Sequence, residues 1–301
     1  MTYIIENANV VKKGELVRNS YLVEDDLIRS VKTAFPKYRH MKMDASPYIM
    51  TPSYVLYMKE LPVYKSIKET KQFYLNDFIL KGCLVFLTTV SVRFKHHLRP
   101  ELNRLRTKLL NCPVDYIIGV RISVRLLQPD FIRQLKREKV PAIFIEVKHE
   151  KELDEVPWGW VKEASFPYHC PFIPIFSTED SKERKRLKSK WNEVMENYKL
   201  PSVDDELKHA QPIPYPTQAK IGIYPLKSNL QPGFELTYNF YSYSREITKI
   251  EELDLYHYHR ERLVISVLRG KVIRAGNAVA FKPGFGEQVT INTPSYYQLL
   301  E

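Results

Sequence analysis

The sequence predicts an α/β protein: a small β domain assembled from both chain ends, carrying an insert in which strands alternate with helices. The first observation is at the ends. From Thr2 to Val31 apolar residues come in short runs, Tyr3-Ile4-Ile5, Val10-Val11, Leu16-Val17, Tyr21-Leu22-Val23 and Leu27-Ile28, separated by polar turns. That spacing is a β-meander. Leu263 to Phe281 repeats the style, its LVISVLRG, KVIRAG and NAVAFKPG runs ending at or near Gly270, Gly276 and Gly284, where hairpin turns need glycine. Neither end holds enough strands to close a core, so residues 1–50 and 219–301 are expected to pair into one β-sandwich.

The second observation is the middle, residues 51–218. CLVFLTTVSV (83–92), YIIGVRISV (116–124), AIFIEV (142–147) and FIPIF (172–176) are apolar nearly throughout, as parallel strands covered on both faces are. Between them, 100–110 and 129–139 open on Pro100 and Pro129 and carry leucine or isoleucine at three- and four-residue spacing, which predicts helices. A βαβαβ order builds either a doubly wound sheet or a (β/α) barrel, and composition leaves both open. The third observation is a proline-rich stretch from Pro201 to Pro216, with QPIPYPTQ at its end, which reads as an extended connector.

Composition bounds the function. With 301 residues, 44% apolar and 27% charged, the chain can bury a sizeable core. It has no uncharged apolar run of about 18 residues, and its start, MTYIIENANVVKKGE, alternates like a strand, so neither a membrane span nor a signal peptide is expected. Cys83, Cys112 and Cys170 are odd in number and outside any Cys-x-x-Cys pattern; they read as buried thiols in a reducing compartment, which makes a cytoplasmic location the expectation. Glycine is scarce at 10 residues, and no GxGxxG, GxxxxGK[ST] or GxSxG occurs. Nucleotide-driven chemistry and serine-hydrolase chemistry both need such glycines, so metal and acid–base chemistry are the enzymatic options left.

Several stretches carry a resemblance. Pro52-Ser53-Tyr54-Val55-Leu56-Tyr57-Met58-Lys59-Glu60 is similar to the PGFxDxHxH motif that ends the first barrel strand in the amidohydrolase superfamily. Gly222-Ile223-Tyr224-Pro225-Leu226-Lys227-Ser228-Asn229-Leu230-Gln231-Pro232-Gly233 resembles its GLYPRKGxxxxG return into the terminal sandwich. Gly270-Lys271-Val272 and Pro283-Gly284-Phe285-Gly286 resemble the last hairpin and tail of its allantoinase-like members. The likeness is to the cyclic-amidase branch, the dihydroorotase, hydantoinase and allantoinase group. It implies a TIM-like (β/α) barrel inserted into the sandwich. Residues 51–218 number 168, short of the roughly 200 to 250 of a complete barrel, so the barrel is expected to be incomplete or distorted, with the proline-rich connector replacing its last units.

The same motifs imply a metal site that has lost its ligands. Met58 and Glu60 stand where the resemblance places two histidines, and a thioether is a poor ligand for zinc, manganese or iron. Where a carboxylated lysine would bridge two metals, Arg121 is the basic residue of its strand, and arginine forms no carbamate. Glu146 lies in the strand that would supply a ligand histidine, with His149 beyond it. Met58, Glu60, Arg121 and Glu146 are therefore expected to line a vestigial pocket with no metal and no cofactor, in which Arg121 either contacts a small anion or ion-pairs within the barrel. Other candidates were weaker in pattern. His96-His97 reads as a loop pair, His149 as a solvated helix start, His169 beside Cys170 lacks a third orienting group, His257-Tyr258-His259 lacks further ligands, and no spacing pairs Asp115, Asp130, Glu146 and Asp154.

A net charge of +11 demands that an anionic partner be weighed. Lys182, Arg184, Lys185, Arg186, Lys188 and Lys190 crowd one predicted helix that opens after Ser177-Thr178-Glu179-Asp180, with Leu187, Trp191 and Val194 as its buried side. The plain reading is a solvated face; the alternative is nucleic-acid binding. The function expected is that of a pseudoenzyme, a non-catalytic amidohydrolase-like protein serving as a binding or scaffold component for a protein partner or as a homodimer. The rivals are a metal-dependent hydrolase of C–N bonds in cyclic amides with an atypical site, and a nucleic-acid-associated protein.

Overall fold

The computed structural model describes residues 1–12, 14–62, 66–244 and 251–296. It divides into two compact units, one of Met1–Val55, Val63–Val85 and Pro225–Phe285, the other of Leu56–Pro62, Phe86–Tyr224 and Gly286–Glu301. The first begins with β1 (Thr2–Lys12), β2 (Glu15–Glu24), β3 (Leu27–Lys32), β4 (Met41–Asp44) and β5 (Tyr48–Pro52), followed by α1 (Ile67–Asp77). The first three strands form the antiparallel meander that the alternation predicts. β1 bulges between Ile5 and Ala8, with Asn7 in the left-handed region, so that its first half pairs in parallel with β4 and its second with β5. Asp25 and Asp26 both take positive φ in the two-residue β2–β3 turn, matching the twist of the strands they join.

The second unit is built on β6 (Val55–Met58), β7 (Val85–Ser91), β8 (Asp115–Ser123), β9 (Ile143–Val147), β10 (Phe172–Phe176) and β11 (Gln211–Pro212). These make an open curled sheet, a half-barrel, in the order β10-β9-β8-β7-β6-β11. β8, β9 and β10 run parallel; β11 lies antiparallel to β6. Helices α2 (Leu98–Lys108), α3 (Pro129–Arg137), α4 (Glu150–Asp154), α5 (Trp158–Ser165), α6 (Ser181–Tyr198) and α7 (Tyr215–Ile221) belong to this unit. The helix expected from Pro100 starts two residues earlier, with Pro100 inside its first turn, where a missing N–H costs nothing. Asp180 caps α6 by accepting from the Lys182 N–H.

The connection after α6 runs from one sheet edge to the other. Phe172 N–H in β10 donates to Pro201 O (2.9 Å), and Val203 N–H donates back to Phe172 O (2.9 Å). Ala210 N–H then donates to Tyr57 O (2.8 Å), and Gln211–Pro212 pair with Tyr57 and Leu56 of β6. A short irregular segment thus satisfies backbone groups that an open sheet would leave bare at both edges.

The chain returns to the first unit through β12 (Tyr238–Ser242), α8 (Glu252–Tyr258), β13 (Leu263–Leu268), β14 (Lys271–Ala275) and β15 (Ala278–Val279). β12 pairs antiparallel with β5 over five residues, which joins the two chain ends into one nine-stranded sheet. Ile5, Val10, Tyr21 and Val23 from one end pack with Tyr238, Phe240 and Val267 from the other. The β13–β14 turn is Arg269-Gly270, both with positive φ, and a Cβ on Gly270 would strike Asp26. No helix among the described residues is long and apolar enough to cross a membrane.

Candidate functional site

Strand alternation decides which residues face the inside of the half-barrel. β6 and β9 are not neighbours in the sheet, yet the rings of Tyr57 and Phe144 stack at 5.0 Å with an interplanar angle of 8°. Both therefore point into its concave side. Arg121 sits opposite Phe144 in the β8–β9 register, and Glu146 lies two residues beyond Phe144, so both share that face. Period-two alternation turns Met58, the neighbour of Tyr57, to the other face, where it is 3% exposed. Met58 is thus not in the group in which the motif placed it; Tyr57 is the β6 residue that faces inward.

Arg121 is the centre of this group. Its Nη2 lies 2.8 Å from Glu60 Oε1 and its Nε 3.2 Å from Glu146 Oε1; the second contact is an ion pair whose angle does not make a hydrogen bond. The Arg121 side chain is 13% exposed, Glu146 33% and Glu60 68%, so the guanidinium is drawn inward from a wet carboxylate to a half-covered one. Of the two arrangements left open by the sequence, the structure has the internal ion pair. Two carboxylates against one guanidinium leave the trio with negative charge, a poor contact for an anion.

The strand ends around it are fixed by hydrogen bonds. Lys59 N–H donates to His209 Nδ1 (3.2 Å), and Thr89 Oγ1 of β7 donates to Lys59 O (2.7 Å). Burial pushes the Tyr57 phenol up to about 12, against the lowering effects of Thr89 and Arg121, so it stays protonated and cannot act as a base near neutral pH. Glu206, from the connection after α6, accepts from Phe176 N–H at the end of β10 and lies 2.7 Å from Arg184 Nη2. Tyr57, Thr89, His209 and Glu206 were missed by the sequence reading. Tyr57 had a signal, since it alternates with Val55 on a strand whose other face is also apolar.

The implied metal centre can be tested against these groups. The inner face offers a neutral phenol, a hydroxyl, a guanidinium and two carboxylates already paired to it. The nearby His209 has its Nδ1 occupied by a backbone N–H. Among the described residues no three His, Cys, Asp or Glu side chains are grouped to hold an ion. A divalent cation beside Arg121 would also meet its positive charge. The residues present do not fit the metal.

Other candidates resolve simply. His257 and His259 fall on and just after α8, where residues two apart point to different sides. His149 stands at the N-cap position of α4 without a capping hydrogen bond from its side chain and is exposed; His169 is exposed while Cys170 is buried, its thiol pushed well up by burial. His96 and His97 lie in a single 3₁₀ turn. Asp115 accepts from Glu287 N–H, Asp130 pairs with Lys95 and Asp154 with Lys190. On α6, Arg184, Lys188 and Lys190 have carboxylate partners, Glu206, Asp205 and Asp154. Lys182, Lys185 and Arg186 are exposed and make no ion pair among the described residues.

Solved structures that superpose on this chain include D-hydantoinases and a dihydropyrimidinase. A D-hydantoinase superposes with a TM-score of 0.64 at 9% identity, covering 99% of this chain and 100% of that chain. The dihydropyrimidinase from Brevibacillus agri NCHU1002 gives 0.59 at 9% identity, covering 97% and 99%. The chain shares the fold of these structures, consistent with an amidohydrolase-like fold. A second D-hydantoinase gives a TM-score of 0.59 at 11% identity over 97% and 99% of the two chains. No family model and no curated protein matches the sequence. Identities this low carry the fold and not the activity of those proteins to this one.

Proposed function

We propose that this amidohydrolase-like chain is a non-catalytic member of its fold, a pseudoenzyme that works as a binding or scaffold component. We also read its half-barrel as a (β/α) barrel cut short after five units and inserted into a sandwich of the chain ends. One observation carries the functional reading: Glu60, just past β6, Arg121 of β8 and Glu146 of β9 form an ion-paired trio. A guanidinium there supplies fixed positive charge for the two carboxylates, the role a cation has in a hydrolase of this fold. It offers no open coordination position and no activated water, which hydrolysis of an unreactive amide needs. The trio is thus a structural substitute for a metal, and the surface is left as the working part of the molecule.

The structural likeness to hydantoinases favours a second reading, a hydrolase of cyclic amides with an altered site. The two part in one experiment. The purified 301-residue chain is dialysed against zinc, manganese or iron, its metal content measured, and its turnover of hydantoin, dihydrouracil and allantoin followed. The pseudoenzyme retains well under one ion per chain and turns over none of the three. One or more tightly held ions per chain, with hydrolysis of any of them, replaces it with the hydrolase.

A further inference from the structure

The half-barrel has a second concave region, at the end of its sheet opposite Arg121. A cavity of about 210 Å³ is lined by Arg106 of α2, Ile118 of β8, Arg137 of α3, Lys139 and Val140 before β9, and Gln288. Its outer side is a strap from the end of the chain: Tyr116 N–H donates to Glu287 O (2.9 Å) and Val289 N–H to Tyr116 O (2.8 Å), so 287–289 runs beside the start of β8. A hollow of about 290 Å³ adjoins it, shares Arg137 and Glu138, and adds Lys95, His96 and Arg99.

We propose that this cavity binds a small organic phosphate, a phosphate monoester with a flat or apolar body. Arg106, Arg137 and Lys139 all line it, and the partners that hold Arg106 and Lys139 are neutral. Arg106 donates from Nε to Gln288 Oε1 and from Nη1 to Asn103 Oδ1, both at 3.1 Å, and Lys139 Nζ donates to Asn292 Oδ1 at 2.7 Å. Among the described residues none of Arg106, Arg137 and Lys139 forms an ion pair. The carboxylate in the wall, Glu138, is 17% exposed and already bound by Arg99 at 2.7 Å. Three like charges around one hollow repel one another until an anion arrives, and the fork of arginine matches the geometry of a phosphate. Leu102, Ile118, Val140 and Pro141 also line it. A space several times the roughly 30 Å³ of a water molecule holds more than the phosphate, and those apolar residues suit the body attached to it.

The backbone adds an independent observation. Lys139 has φ 51°, the left-handed position just after α3, where glycine is the usual residue and costs least. The chain carries a lysine there instead, and that lysine lines the cavity. A concave, strapped site favours a free small molecule over a polymer, although the phosphates of RNA share the chemistry.

The test is calorimetry and thermal unfolding of the 301-residue chain with adenosine 5′-monophosphate, inorganic phosphate, adenosine and a short single-stranded RNA. The monophosphate binds and raises Tm with dose, inorganic phosphate does so more weakly, and adenosine does neither. Arg137→Gln and Lys139→Gly each cut affinity about tenfold, as one lost charge-assisted hydrogen bond does, while Lys139→Gly keeps or raises the Tm of the free protein. Absence of binding by both phosphate probes at millimolar concentration overturns the site. So does an affinity unchanged in the two variants, and so does RNA binding without monophosphate binding.

Discussion

At the scale of single residues, Arg121 does most to set the character of the site. Its two ion pairs differ in worth: the one to Glu60 is wet and contributes little, the one to Glu146 is half covered and contributes more. Removing the guanidinium leaves Glu146 without its counter-charge, near Glu60. Arg121→Gln is expected to destabilise the chain by about 1–3 kcal/mol in urea unfolding, and Arg121→Gln with Glu146→Gln by less than Arg121→Gln alone, because the stranded charge goes with its partner. Equal losses in both variants contradict the pairing. Gly82 is a second residue with a specific demand. It has φ 71°, its carbonyl accepts from Asn239 Nδ2 (2.8 Å) and Ser53 Oγ (3.2 Å), and an added Cβ would lie 2.8 Å from Asn239 Nδ2. Gly82→Ala therefore combines a left-handed backbone with a clash, and a fall of several degrees in Tm is the expected result.

At the scale of elements, the strap from α6 to β11 closes what the short chain leaves open. Glu206 is its fastening to β10, accepting from the Phe176 N–H and pairing with Arg184 of α6. Glu206→Ala leaves that N–H without its acceptor and is expected to cost about 1–3 kcal/mol. Hydrogen exchange should then speed up at Phe176 and around 201–206 while the β8 amides stay protected; uniform exchange would mean the strap does not close the edge. The cations of α6 without ion pairs among the described residues provide a contrast: Lys185→Gln and Arg186→Gln should leave stability within about 0.5 kcal/mol. This division explains what the sequence could tell. β10 fills Phe172–Phe176 as its β-branched and aromatic run predicts, and α3 begins at Pro129, because local pattern alone fixes both. The Met58 position was misjudged because a motif alignment carries no register: one residue of offset moves a side chain to the opposite face. Glu206 and His209 were illegible, since their partners Phe176 and Lys59 lie 30 and 150 residues away in sequence.

At the scale of the whole molecule, charge and pH act together. With a net charge of +11 at pH 7, acidification adds further positive charge, and self-repulsion should weaken the fold as pH falls. Half-buried Glu252, the first residue of α8 in the β-sheet unit, opposes that trend. Burial raises its carboxyl from 4.5 to about 7, so between these values the folded chain keeps a proton that the unfolded chain has released. Stability then falls as pH rises through this window, and the contribution is intact only below about 4.5. The shift corresponds to about 3 kcal/mol at most, reduced by the exposure that remains, so about 1–3 kcal/mol is the expected range. Glu252→Gln has no proton to lose. Its stability relative to the parent should be flat near pH 4.5, rise between 5 and 7 and level off above, when urea midpoints are compared across pH in a constant high-salt buffer that screens the net charge. A difference that does not change with pH would mean that Glu252 titrates alike in the folded and unfolded chain, and that the acid side of the profile belongs to net charge alone.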